Sequence, residues 1–327
     1  MKASDLSQKS YSVNRKLTAE ERQNHLRQNE RLNIKPFYNV STTTLNSTFV
    51  ETVDRWFVER GNLTFLCLFL FPLLPSAGVL ICLLTYSVLN NDRLPIEGAR
   101  MMTMGIAILG YIALWIVFIW GLTRECFRWT HFPIRFNYRN RMVYVFCLDG
   151  VVRSAKWDDV FFTLGRGQRM PSGRYRWDIR GHALKADRDT IEWTFALRGD
   201  SLDPQQLKHV WEFVRRYMED GPASVYRDVF WCHDIATRKE TFRAGLNVLF
   251  LMFNGLPILQ WISAPMLWLT AMGRWFAMRT SKIPRWPADV EAQCSVDAFD
   301  PYERTAAQNP EKIPTDPGSV AWKQIGS

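Results

Sequence analysis

Two long apolar runs, Leu63–Leu89 and Met101–Thr123, set the pattern of the chain. Only the eleven residues Asn90–Arg100 separate them, and neither run contains an Asp, Glu, Lys, Arg or His. A bilayer core of roughly 30 Å is crossed by about 20 apolar residues of helix, which each run supplies. The pattern predicts a transmembrane helical hairpin. With no ionisable group in either span, nothing marks a proton relay or an ion path, and the hairpin reads as an anchor.

Residues 1–60 are polar, with ten Lys/Arg and seven Asp/Glu. Thr18 and Glu21 have capping-box spacing, which predicts a short charged helix running to about Leu32. Ile34–Asn46 reads as extended chain or loop. In Ser47–Arg60 the residues Phe49, Val50, Val53, Trp56 and Phe57 recur at helical spacing. Next to a span, that face predicts a helix lying in the membrane interface, a soluble-core helix being the alternative.

From His131 the pattern shortens to alternation. Ile134–Asn137, Met142–Leu148, Val151–Ser154, Trp157–Leu164, Tyr175–Ile179 and Thr190–Leu197 read as strands, with Asp149-Gly150 as a hairpin turn. Asp203-Pro204 then opens a helix and Gly221-Pro222 stops it. Its apolar stripe is Leu207, Val210, Trp211, Val214 and Met218. The layout predicts a small curved antiparallel sheet closed at one end by this helix.

Ala244–Met272 is a third apolar stretch, broken by Pro257 and Pro265. Unbroken, its 29 residues would run about 43 Å; broken near Pro257, each half would be too short to cross. Both a re-entrant helical pair and a kinked third span fit. The tail after Ser281 carries six prolines and is expected to be extended and mobile.

The expected fold class is therefore an α+β membrane protein: N-terminal helices, a transmembrane hairpin, a small antiparallel β domain with its helix, and a further membrane-associated helical segment. The expected divisions are 1–60, 61–123, 131–240, 244–272 and 281–327. The net charge is +9, and Arg124–Arg188 alone holds 14 basic and 6 acidic residues. Such a basic domain beside a bilayer suits anionic headgroups, and no nucleic-acid motif accompanies it. Arg55 and Arg60 precede the first span; Arg124, Arg128, Arg135, Arg139 and Arg141 follow the second. The connecting loop offsets Arg93 and Arg100 with Asp92 and Glu97. By the positive-inside rule, the N-terminus and the β domain are expected in the cytoplasm. The six cysteines show neither metal spacing nor a disulfide framework. The first span starts at Leu63 behind polar sequence and is expected to insert as an uncleaved anchor.

Strands followed by a helix over Ile134–Asp220 resemble the pleckstrin-homology-like fold in layout, including its bacterial membrane-attached versions. More widely, the hairpin, Arg135-Phe136-Asn137, Val143-Tyr144-Val145-Phe146, Asp149-Gly150 and Trp157-Asp158-Asp159-Val160 resemble an uncharacterised family of bacterial membrane proteins. Its members tend to be encoded near type VI secretion and Rhs-type toxin genes. That likeness implies a multi-pass inner-membrane protein serving as an immunity or accessory factor, with a cognate toxin or secretion-system protein as partner. It supplies no active-site residues.

Candidate chemistry is sparse. Trp231-Cys232-His233-Asp234 places a thiol, an imidazole and a carboxylate in a row, but adjacent residues point apart, and a structural role is expected. Asp158-Asp159 has no third ligand nearby, and the five histidines form no ligand spacing. No metal or cofactor site is expected, and no enzyme. The glycine-rich stretch Leu164–Arg176 groups Arg166, Arg169, Arg174 and Arg176, a set suited to an anionic headgroup or a partner protein, with a solvated hairpin loop as the plainer reading. Two functions follow: a non-enzymatic immunity or accessory protein that acts by protein–protein binding, and a membrane-anchored module that binds lipid headgroups.

Overall fold

The computed structural model describes residues 11–89, 97–251 and 257–310. In chain order the elements are α1 (Ala19–Gln23), β1 (Thr42–Leu45), β2 (Phe49–Thr52), α2 (Asn62–Leu70), α3 (Leu73–Leu89), α4 (Glu97–Glu125), β3 (Ile134–Asn137), β4 (Met142–Phe146), β5 (Val152–Lys156), β6 (Val160–Arg169), β7 (Tyr175–Leu184), β8 (Ile191–Ser201), α5 (Pro204–Glu219), α6 (Phe242–Leu251), α7 (Pro257–Thr280) and α8 (Ala288–Gln293). A single 3₁₀ turn, Arg55–Phe57, joins β2 to α2.

The strands form two antiparallel sheets, β1-β2-β3-β4-β5 and β6-β7-β8. The expected single curved sheet is thus two sheets, and the first is completed from the N-terminal region. β2 and β3 are direct neighbours, with Phe49 opposite Asn137 and Thr52 opposite Ile134. All of α2, α3 and α4 is therefore an insertion between two adjacent strands. Chain that leaves the sheet at β2 must return beside it at β3, so both ends of the hairpin stand at the same level.

The helix expected over Ser47–Arg60 is strand β2 followed by the 3₁₀ turn. Both faces of β2 are covered, which is why its apolar residues do not alternate. Val50 lies in the main core, while Phe49 packs on the far face against Tyr144, Val290 and Cys294. At α1 the capping box is present, with Thr18 Oγ1 accepting from Glu21 N at 3.2 Å. The helix ends at Gln23 rather than near Leu32, because Leu26 N donates to Phe162 O at 2.8 Å and the chain joins the edge of β6.

α5 follows its sequence signals closely. Asp203 caps it, accepting from Gln205 N at 3.0 Å, and Leu207, Val210, Trp211, Val214 and Met218 are buried. The helix lies on β3, β7 and β8, so it closes the core shared by both sheets. Trp211 stacks on Trp157 with ring centroids 5.7 Å apart, and Phe136 and Phe162 surround the pair.

The helical part is apolar and open. Two helical segments, Arg55–Ser87 and Met101–Glu125, are long and apolar enough to cross a membrane, and their apolar windows are 11% and 0% buried. Core helices of a soluble protein would be covered. Pro72, which offers no N–H, separates α2 from α3. The third apolar stretch is the pair α6–α7. Lys239 donates to the Arg279 carbonyl and Glu240 bonds Arg274, so the chain entering α6 and the end of α7 lie side by side. At about 15 Å, α6 is too short to cross. Gln260 of α7 closes the pair by donating to Phe250 O at 3.0 Å.

The tail expected to be extended and mobile is docked as far as Asn309. Its α8 and Trp286 cover the outer face of the five-stranded sheet, and Leu45 and Arg304 exchange both backbone hydrogen bonds, at 2.9 and 2.7 Å. Trp286, Val290 and Cys294 supply an apolar stripe at four-residue spacing, which outweighs the prolines. Residues 311–327 of the expected tail, 90–96 of the expected outer loop and 252–256 near Pro257 lie outside the described residues.

Candidate functional site

The four arginines singled out in the sequence lie along the β6–β7 hairpin without forming one cradle. Arg166 pairs with Glu20 at 2.5 Å and sits over the rings of Tyr175 and Trp177, 5.4 Å from each centroid. Arg176 pairs with Asp200 at 2.8 Å and reaches Glu59 at 3.6 Å. Among the described residues, Arg169 and Arg174, at the tip, donate only to the carbonyls of Gly173 and Leu202, at 3.5 and 3.4 Å. Two guanidinium groups are thus already matched to carboxylates, and two face solvent.

The residues Cys232, His233 and Asp234 diverge. Burial pushes the Cys232 thiol up to about 12, so it holds its proton at neutral pH. His233 is buried against Phe57, and its Nε2 donates to the Val40 carbonyl at 2.6 Å. Burial and then the Arg198 charge hold its pKa well below the usual range. Asp234 turns outward to Arg238. Asp158 is the partner of Arg141, at 2.5 Å. Among the described residues there is no group of three or more His, Cys, Asp or Glu that could hold a metal ion.

A pocket of about 40 Å³ opens between the sheets, lined by Asp54, Trp56, Phe132, Ile134, Val145 and Phe195 among others. It has room for about one or two waters rather than a ligand. Asp54 is also already occupied: its carboxylate accepts from Phe132 N and Trp56 N, both at 3.0 Å. Burial raises its pKa, against the pull of Arg60.

The most elaborate constellation is the junction where helices meet sheets. Arg274, fully buried on α7, forks onto Glu240 and donates through Nη1 to the carbonyls of Phe57 at 2.8 Å and Arg60 at 3.1 Å. Glu125, the last residue of α4, accepts from the amides of Gly61, Leu63 and Thr64 and from the Thr64 hydroxyl, at 2.7–3.3 Å. A carboxylate there meets the positive end of the α2 dipole. Glycine is required at two points. A Cβ on Gly61, whose φ is +97°, would lie 2.3 Å from Arg274 Cα, and one on Gly273 would lie 2.6 Å from Phe65 Cα. In the sequence alone Arg274, Glu240 and Glu125 are charges beside apolar runs, with nothing to link them. The available signal was Gly273-Arg274 embedded in an apolar helix.

Around this junction, Trp120 stacks under Arg124 at 4.3 Å and Trp275 under Arg279 at 5.8 Å. Arg124, Arg279 and Lys282 take part in no salt bridge with a described residue. In the sheet domain, by contrast, Arg55, Arg135, Arg141, Arg153 and Arg215 are each paired with a carboxylate, Arg169 and Arg174 at the hairpin tip being exceptions.

A family model described as a family of unknown function, DUF6708, matches residues 111–298, from the second apolar run to the docked tail. Neither a curated protein nor a solved structure matches the chain.

Proposed function

The chain belongs to the DUF6708 family, whose function is unknown, and we propose that it is a non-enzymatic, membrane-anchored binding protein that holds its two-sheet domain fixed against the cytoplasmic face of the inner membrane. One observation carries this reading: an exposed apolar helical hairpin is inserted between β2 and β3, neighbours in one sheet. Apolar helices with almost no protein cover need another apolar phase, and lipid supplies it. The adjacent strands require both hairpin ends on one side, which agrees with the arginine distribution. The buried Arg274–Glu240 fork and the Glu125 cap then make the mount stiff, and α6–α7 enters the same phase as a re-entrant pair. The test is extraction. The protein should stay in the membrane pellet through an alkaline carbonate wash and leave only with detergent. Recovery in the soluble fraction would sink the proposal.

Within this reading the work of the domain is binding. The likeness to proteins encoded beside type VI secretion and Rhs-type toxin genes makes a cognate toxin the first partner to try, with the chain as immunity or accessory factor. Co-expression with the toxin encoded next to it should restore growth; unchanged killing would refute the immunity role. A second reading is headgroup contact by the β6–β7 tip. It is favoured by the Arg176–Glu59 contact, which ties that hairpin to the foot of α2 and leaves Arg169 and Arg174 pointing outward. Binding of the detergent-purified protein to anionic vesicles should then weaken on Arg169→Gln and Arg174→Gln together, and unchanged binding would dispose of it.

A further inference from the structure

We propose that the corner where α4 ends against the segment after α7 binds the phosphate of an anionic lipid headgroup, with Arg124 and Lys282 as its ligands. The proposal rests on the reading of α4 as a membrane span. Arg124 lies in the last turn of α4, half-buried, with its guanidinium over the Trp120 ring. Its Nε is buried and has no hydrogen-bond partner. A guanidinium has five N–H donors in a planar fork, and leaving a buried one unmet is costly. The nearest carboxylate in sequence, Glu125, is turned away to cap α2.

Lys282 is brought to the same corner by its backbone. Its N–H donates to Arg128 O at 2.6 Å, its carbonyl accepts from Thr130 N at 2.8 Å, and the Ser281 hydroxyl donates to Glu125 O at 3.2 Å. Its side chain is exposed. Arg128 Nε donates to Thr123 O at 2.8 Å, which covers one carbonyl at the helix end and reduces its repulsion of an anion. The geometry offers a planar fork, a mobile point charge and an indole at the level where a span leaves the hydrocarbon. A phosphate diester at headgroup depth matches the first two, and Trp belongs at that interface.

The experiment uses the full chain in nanodiscs of mixed phosphatidylglycerol and phosphatidylcholine, with co-purifying lipid read by native mass spectrometry. The wild type should retain phosphatidylglycerol preferentially, and Arg124→Gln with Lys282→Gln should lower that retention about tenfold. Lys282→Gln alone changes only an exposed side chain and should lower it in the same direction. The surface variant Arg153→Gln should retain it fully. Equal retention by wild type and both Gln variants overturns the site, as does displacement of the lipid by inorganic phosphate that binds equally in pure phosphatidylcholine discs. A wild type that never enters the membrane fraction would refute the anchor; a membrane-embedded wild type without lipid preference refutes only this site.

Discussion

Arg274 and Glu240 meet as a two-pronged ion pair closed off from solvent, Nε to Oε2 at 2.7 Å and Nη2 to Oε1 at 3.0 Å. The pair joins α7 to the chain entering α6, and the third nitrogen of Arg274 bonds the turn that leads into α2. Removing one member leaves a buried charge alone, which costs about 3–5 kcal/mol. Glu240→Ala should therefore lower the unfolding midpoint of the detergent-purified protein far more than loss of the exposed Arg139–Asp297 pair, worth about 0–1 kcal/mol. Glu240→Leu with Arg274→Met should be less damaging than either single change. Equal midpoints for Glu240→Ala and Arg139→Ala would show that the junction does not hold the mount.

The glycine contacts make a sharper geometric claim. A side chain on Gly273 would meet the backbone of Phe65, which cannot rotate away. Gly273→Leu should cost on the order of 2–4 kcal/mol by forcing α7 off α2. Limited proteolysis should then cut within residues 242–280 of the variant under conditions that leave the wild type whole.

The docked tail depends on Arg135, whose guanidinium lies between the rings of Phe49 and Trp286, at 4.2 and 4.7 Å. Trp286 also donates to Glu51 at 2.8 Å. Trp286→Ala should remove about 2 kcal/mol from the local stability of the tail. Cys294, only 3% exposed, should then be alkylated roughly thirtyfold faster. An unchanged alkylation rate would mean that the tail is held elsewhere.

Acid should loosen the packing around Phe57, whose ring meets His131 edge-on at 6.4 Å. His131 is 1% exposed, and burial pushes its pKa down to about 4. Between the unfolded value near 6.5 and about 4, the unfolded chain takes up a proton that the folded chain refuses. Stability from this group is whole above pH 6.5 and falls through that window, by on the order of 3 kcal/mol. His131→Asn or His131→Gln should flatten the pH dependence of the unfolding midpoint between 6.5 and 4. The same slope in wild type and variants would contradict the assignment.

Much of this fold could be read where burial is one-sided. α5 has one wet face, so its stripe, its Asp203 cap and its limits were legible. For β6–β8 the alternation marks the strands but ends early, at Leu164, Ile179 and Leu197. Their extensions to Arg169, Leu184 and Ser201 are not apolar runs; in the β6–β7 arm, Arg166 lying across Tyr175 and Trp177 supports the pairing instead. β2 is covered on both faces, so Phe49, Val50 and the Val53 and Phe57 that follow satisfy a helical period by accident and hide the strand. The site was hardest. Arg274, Glu240 and Glu125 look like ordinary flanking charges until the insertion of the hairpin brings residues far apart in sequence into one buried network.

If the hairpin leaves the sheet, crosses the membrane and returns, as proposed, the whole domain must lie on the cytoplasmic side. Native Cys294 is too deeply buried to report on this, but Phe299 is 96% exposed. Phe299→Cys, in a chain whose exposed Cys82 is changed to Ser, should react with a membrane-impermeant maleimide in inverted vesicles and stay unlabelled in intact spheroplasts. Labelling in intact spheroplasts would place the domain outside and contradict the account.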